Sequence, residues 1–182
     1  MVEAIYETLH RENQVIVCAQ SNTAVDCISE KLVDRGINVL RIGNPTRIND
    51  KMLSFTYERR FESHPDYPEL WSIRKAVRDI QSNMRKKSRE ERDTIRNRLS
   101  RLKFRATELE VKIDTELFDE ARVVACTLVG SANRIMMNRH FTTLFIDEAA
   151  QALEAACWIA ISKADRVCLL YTSPSPRDRQ KS

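Results

Sequence analysis

Glycine is scarce in this chain: 182 residues hold only Gly36, Gly43 and Gly130, and none of the three is followed by Lys. No GxxxxGK[ST] loop is therefore present, and the sequence carries no glycine-rich backbone cradle for nucleotide phosphates. Cysteine is present but unpatterned. Cys18, Cys27, Cys126, Cys157 and Cys168 are odd in number, widely spaced and free of any CxxC pair, which argues against a zinc ribbon or a disulfide scaffold. No apolar run approaches the roughly 18 residues of a membrane span. The opening MVEAIYETLHREN carries acids where a secretory signal needs an apolar core. The expectation is a cytoplasmic or nuclear protein, in a reducing compartment and away from membranes.

What remains is an ordinary globular composition, 42% apolar and 31% charged, with length enough for one real core. The net charge of +4 is unevenly spread. Trp71 to Glu108 carries thirteen Lys/Arg against five Asp/Glu, while the rest of the chain carries 17 basic and 21 acidic residues. All the excess positive charge thus lies in one segment. It is either a solvated helical face or a surface that tracks phosphates.

Periodicity divides the chain into alternating elements. Met1 to Arg11 has a helical stripe of Val2, Ile5, Tyr6 and Leu9. VIVCA at Val15 to Ala19 reads as a buried strand. Ser21 or Asn22 then caps a helix ending before Gly36, and NVLRI at Asn38 to Ile42 forms a second strand closed by Gly43-Asn44-Pro45. This order indicates a βαβ unit and a parallel sheet. Thr46 to Asp66 reads as loop. Leu70, Ile73, Val77, Ile80 and Met84, then Ile95, Leu99, Leu102, Ala106, Leu109 and Ile113, mark long helices with a narrow apolar seam. The seam lapses across Arg85 to Asp93; an antiparallel hairpin turning near Lys86 to Glu90 is the simplest arrangement, and one unbroken helix is the alternative. Strands return at Arg122 to Cys126, Thr143 to Ile146 and Arg166 to Leu170. The fold class expected is α/β, five short parallel strands in a doubly wound sheet with a helical hairpin inserted between the second and third. The tail YTSPSPRDRQKS, from Tyr171 to Ser182, lacks apolar periodicity.

The stretch LFIDEAAQALEA, Leu144 to Ala155, is the most informative. A short apolar strand ends in Asp147 and Glu148, and ligands in open parallel sheets sit beyond the carboxyl ends of strands. Two acids there suit a nucleotide site, with Asp147 on Mg²⁺ and Glu148 polarising a water. Taken alone, the pair reads more readily as two acids capping the next helix.

Together, VIVCAQSNTAVD, VVACTLVGSANR and LFIDEAAQALEAACWIA resemble superfamily 1 nucleic-acid helicases of the AAA type. The similarity is greatest to the group that contains the nonsense-mediated-decay helicase and the immunoglobulin-mu-binding helicase. It spans nearly everything from Met1 to Leu170, and DEAAQALEAACW is its most specific piece. The resemblance implies a RecA-like sheet divided as 1–66 and 121–170, with the basic hairpin inserted at 67–120 and 171–182 foreign to the family. It implies that Asp147 and Glu148 are the Walker B pair, Asp147 holding the metal and Glu148 acting as the catalytic carboxylate. Gln151 would lie near the γ-phosphate and couple the two halves of the motor. Ser21, Asn22 and Thr127 would contact single-stranded RNA or DNA, and ATP with Mg²⁺ would be the cofactors.

Departures from the family define the remaining expectations. Gln20 stands where Pro is usual, which loosens the turn before Ser21. The missing GxxxxGKT and the unrelated residues after Leu170 imply a fragment. It would begin after the strand that feeds the phosphate loop and end before a second RecA-like domain. The parent would be an ATP-dependent helicase, and the chain alone would be inactive; the alternative is a non-enzymatic nucleic-acid-binding module. The tail reads as a foreign or out-of-frame junction, with a genuine disordered C-terminus as the alternative.

Overall fold

The computed structural model describes the backbone of residues 1–83 and 89–170 and the side chains of 1–83 and 93–170. Met84 of the seam, most of the turn expected near Lys86 to Glu90, and the tail from Tyr171 to Ser182 lie outside the described residues. The described residues fall into two compact units. One joins Met1–Tyr57 to the chain from Glu120 onward, and the other is Glu58–Asp119.

The first unit is built on a five-stranded sheet. In chain order its elements are α1 (Val2–Leu9), β1 (Val15–Ala19), α2 (Asn22–Val33), β2 (Val39–Arg41), β3 (Val123–Thr127), β4 (Phe141–Asp147), α6 (Glu154–Ile161) and β5 (Ala164–Leu169). The strands lie in the order β2-β3-β1-β4-β5, and every pairing is parallel. Each strand falls within two residues of its expected position, because β-branched and apolar runs bounded by polar turns have few other ways to be buried. Alternation splits their side chains between two faces. Val15, Val17, Ala19, Val39, Val123, Ala125 and Phe145 join Ile5 of α1 and Val25, Ile28 and Leu32 of α2 in one core. Ile16, Cys18, Val124, Cys126, Leu144 and Ile146 point the other way and are also buried.

The two edges of the sheet differ. All three residues of β2 are buried, and beyond it Arg41 bridges Thr56 in parallel fashion. β5 is largely exposed, with Val167 and Leu169 open to solvent. Asp165 and Arg166 are exposed on the same strand, and charges of this kind discourage pairing with another chain.

The second unit is helical: α3 (Tyr57–Ser63), α4 (Tyr67–Asn83) and α5 (Arg89–Glu120), the first and last crossing the unit boundary by a residue. The loop expected over Thr46 to Asp66 needs correction here. Pro45–Arg47 and Asp50–Phe55 form 3₁₀ turns, capped by the side chains of Asn44 and Asn49, and Tyr57–Ser63 is α-helical. The segment has too few apolar residues to display a period, so local capping, not amphipathicity, sets its structure. Pro68 falls in the first turn of α4, where its missing N–H costs nothing. His64 pairs with Glu116 at 2.8 Å, Lys112 with Asp66 at 2.6 Å and Arg74 with Glu110 at 2.7 Å, so α4 and α5 run antiparallel. Leu99, Ala106, Leu109, Ile113 and Leu117 form the buried stripe of α5.

Ion pairing perturbs the exposed groups of this unit. The hydrogen bond from Lys112 holds the Asp66 carboxyl below its ordinary value, and the same bond raises Lys112. Because the folded value of Asp66 is depressed, its contribution is present above the ordinary carboxylate range. It fades as pH falls through the lowered value. Solvent access at Lys112, partial access at Asp66 and salt screening keep that contribution small.

The five cysteines occupy unequal environments. Cys18 and Cys126 are register partners, buried, with their sulfurs 3.5 Å apart, whereas Cys27 is exposed on α2. The hydrogen bond with Cys126 and burial together push the Cys18 thiol well above its usual range. In the native state, iodoacetamide followed by peptide mass spectrometry is expected to label Cys27 first, and Cys18 and Cys126 only on unfolding. Equal labelling of Cys18 would show that the β1–β3 core opens readily.

Candidate functional site

The parallel register brings distant parts of the sequence to one edge. Ala19, the last residue of β1, lies opposite Thr127 at the end of β3 on one side and opposite Asp147 at the end of β4 on the other. The backbone therefore sets Thr127, the Gln20-Ser21-Asn22 turn and Asp147-Glu148 side by side along the carboxyl edge. With strands about 4.8 Å apart, the row from Thr127 to Asp147 spans about 10 Å.

Three polar side chains in this row are held in a common manner. Ser21 caps α2, its Oγ accepting from the Ala24 N–H at 3.1 Å. Thr127 Oγ1 accepts from the Gly130 N–H at 3.0 Å. Asn22 Oδ1 accepts from Arg41 Nη2 at 2.9 Å. In each case one lone pair is occupied by the protein, and each side chain keeps hydrogens to offer: two hydroxyl protons and the Asn22 amide hydrogens. A row of donors at a strand edge matches anionic oxygens such as those of a nucleic-acid backbone. Gly130 permits the Thr127 contact, since a Cβ at that position would stand 2.8 Å from Thr127 Oγ1.

The acidic part of the row is arranged differently. Asp147 closes β4, and the chain then turns through Glu148 in the left-handed region, at φ 53° and ψ 37°. Glu148 is the single non-glycine residue with positive φ among the described residues. The turn is pinned to β5, as Leu170 N–H donates to Ile146 O at 2.9 Å and Ala149 N–H to Leu170 O at 3.2 Å. Gln151 closes a 3₁₀ turn, its N–H donating to Glu148 O at 2.9 Å, and its side chain is exposed. Helix α6 starts only at Glu154, so neither acid caps it directly. Neither carboxylate has a hydrogen-bond or ion-pair partner among the described residues. Two adjacent, half-buried, unpartnered carboxylates fit a Mg²⁺ ion, which takes one or two protein carboxylates and fills its octahedron with phosphate oxygens and water.

The residues singled out from sequence thus share one edge, with Asp147, Glu148 and Gln151 at one end and Ser21, Asn22 and Thr127 at the other. Sequence reading missed the residues beneath Asn22. Arg41 is fully buried, with Nε donating to Asp26 Oδ1 at 2.8 Å and Nη1 to Ile42 O at 2.7 Å. Asp26 Oδ2 in turn accepts from the Asn49 N–H at 3.0 Å. The available signals were a lone arginine between Leu40 and Ile42 in a strand, and a lone aspartate on the apolar face of α2.

The likeness to known proteins covers the same edge. A family profile described as AAA domain matches residues 1–171. The chain is 30% identical over 170 residues to DNA polymerase alpha-associated DNA helicase A of Schizosaccharomyces pombe, covering 93% of this chain and 26% of that protein. It is 28% identical over 175 residues to DNA-binding protein SMUBP-2 of Mesocricetus auratus, covering 93% of this chain and 18% of that one. With ATP-dependent helicase upf1 of S. pombe it shares 29% identity over 149 residues, covering 81% and 14% respectively. The chain spans about a quarter or less of the length of these relatives.

The left-handed backbone at Glu148 has a measurable consequence. Holding an L-residue there costs about 1–2 kcal/mol, of which glycine's greater unfolded-state freedom gives back about 0.5–1 kcal/mol. Glu148→Gly is therefore expected to raise the stability of the chain by about 0.5–1 kcal/mol in urea denaturation. A loss of that size would show that the Glu148 side chain makes a stabilising contact.

Proposed function

The chain belongs to the AAA-domain family of superfamily 1 helicases, matched over residues 1–171, and on that premise we propose that its carboxyl edge is the working surface of an ATP-dependent motor on single-stranded RNA or DNA. The observation that carries this reading is the shared row, with donors at one end and unpartnered carboxylates at the other. ATP with Mg²⁺ supplies the phosphoanhydride whose hydrolysis drives the motor. Asp147 is the side chain to hold the metal, Glu148 the one to orient and polarise the attacking water, and Gln151 the one to report the nucleotide's state to the rest of the motor. Ser21, Asn22 and Thr127 grip backbone phosphates through the hydrogens left free. Grip by hydrogen bonds to phosphate is indifferent to base sequence, as a translocating motor requires.

The domain reading places 1–66 and 121–170 in the motor and 67–120 as an inserted basic hairpin. Support for phosphate tracking by the hairpin comes from Arg78 and Lys103. They pair with no acid among the described residues and line one groove with Val77 and Ala106, where the acid present, Glu110, is paired with Arg74. A cytoplasmic or nuclear location suits five free thiols, two of them hydrogen-bonded to each other as thiols, not joined as a disulfide. No helix of the described residues is long and apolar enough to cross a membrane. A second reading, a non-enzymatic nucleic-acid-binding module, is favoured for the isolated chain by the missing GxxxxGKT. The donor row needs no nucleotide to bind a strand, whereas the carboxylates need phosphates held by a cradle that this sequence does not contain.

Two outcomes follow. The chain alone is expected to show no ATP turnover with single-stranded nucleic acid present, and turnover that vanishes in Glu148→Gln would overturn that expectation. It should still bind oligonucleotides weakly and in a salt-sensitive way. Neutralising Arg85, Lys86, Lys87 and Arg89 is expected to flatten the dependence of log K on log salt, by about 0.7 for each single-strand phosphate that the protein no longer neutralises. An unchanged slope would make the hairpin a solvated arm.

A further inference from the structure

Arg41 sits at the carboxyl end of β2 with its side chain completely buried, which is an unfavourable place for a guanidinium. The desolvation is offset by a tight set of acceptors: Asp26 Oδ1 at 2.8 Å, Ile42 O at 2.7 Å and Asn22 Oδ1 at 2.9 Å. Asp26 lies one helical turn beyond Asn22, so a single planar fork binds two side chains on the same face of α2. The second oxygen of Asp26 is occupied by the Asn49 N–H, which holds the carboxylate in its plane. Gly43 leaves room for the fork, because a Cβ there would stand 3.1 Å from Arg41 Nη1.

Buried ion pairs of this kind add little net stability over well-packed apolar residues, so another use for it is worth seeking. The chemistry of the fork supplies one. Arginine has five donors and no acceptor, so the side of the Asn22 amide that faces it must be the carbonyl oxygen. The Asn22 Nδ2 group is then forced to the opposite side, away from the buried fork. An asparagine free to flip would present an oxygen to a phosphate half of the time and repel it.

We infer that Arg41, with Asp26 behind it, is a positioning residue that locks the Asn22 amide with its hydrogens turned toward a phosphate of single-stranded nucleic acid. The inference rests on the proposed role of Asn22 and adds to it the device that sets its polarity. Arg41 itself touches no ligand. Its effect on binding passes entirely through Asn22.

That dependence gives the test, made on the full chain with fluorescently labelled oligo(dT) and oligo(U) as probes. Asn22→Asp keeps an acceptor for Arg41 but has no hydrogens to offer, and is expected to weaken binding about tenfold or more; Asn22→Ala is expected to weaken it about fivefold. The paired substitution Asp26→Leu with Arg41→Met removes both buried charges together and so preserves folding, checked by circular dichroism. It is expected to weaken binding about two- to fivefold in the parent chain, no further than Asn22→Ala itself, and not measurably when Asn22 is already Ala. Should the pair not fold, Arg41→Lys, which keeps the charge and loses the fork, is expected to give the same pattern. Equal weakening in both backgrounds, or none in either, overturns the positioning role while leaving Asn22 as a contact. Wild-type binding by Asn22→Asp and Asn22→Ala overturns the reading of Asn22 itself, and the inference with it.

Discussion

The parallel pairing of β3, β1 and β4 is the constraint on which the rest of this structure depends. Parallel strands all finish at the same edge, and their crossovers return over the faces of the sheet. Residues more than a hundred positions apart, Ala19, Thr127 and Asp147, consequently fall into one row through backbone hydrogen bonds alone. A slip by one residue in β1 would turn the Val15, Val17, Ala19 face away from α1 and α2, and the burial of both faces forbids it. The core thus fixes the site: the same alternation that buries the apolar residues sets the positions of the polar ones that follow each strand.

At that edge the protein directs its own donors onto acceptor atoms. Ala24 N–H on Ser21, Gly130 N–H on Thr127 and the Arg41 fork on Asn22 each occupy a lone pair of the oxygen, and all three side chains keep hydrogens to offer. The acids a few ångströms further along have no partner among the described residues. Such an edge is polarised, one end complementary to anions and the other to a cation. A motor that must hold a phosphate backbone and a metal-bound nucleotide on one surface needs that separation, since the two ligands would otherwise compete for the same groups.

The fold was largely legible in the sequence, because VIVCA, NVLRI, RVVAC, TLFI and RVCLL are short apolar runs bounded by polar turns, the pattern of strands buried on both faces of a parallel sheet. The acid pair was legible for a related reason, as it interrupts an apolar strand where the strand must end. The 3₁₀ turns and helix between Pro45 and Ser63 were not, since side-chain caps such as Asn44 and Asn49 act over two or three residues and leave no period. Arg41 was missed for a different reason. Its side-chain partners Asn22 and Asp26, and Asn49 behind Asp26, come together only once α2 packs beside β2, and no local pattern announces such a meeting. The left-handed turn at Glu148 was equally invisible, because nothing in Asp-Glu-Ala-Ala demands positive φ.

The most direct test of the row as a phosphate-binding edge is to map where a single strand touches the chain. Amide chemical-shift changes on adding oligo(U) or oligo(dT) are predicted to centre on Gln20 to Ala24 and Thr127 to Ser131, with smaller changes at Asp147 to Gln151. Changes centred on the opposite edge, around Asn13, Asn38 and Arg122, with none at Ser21, Asn22 and Thr127, would contradict the account.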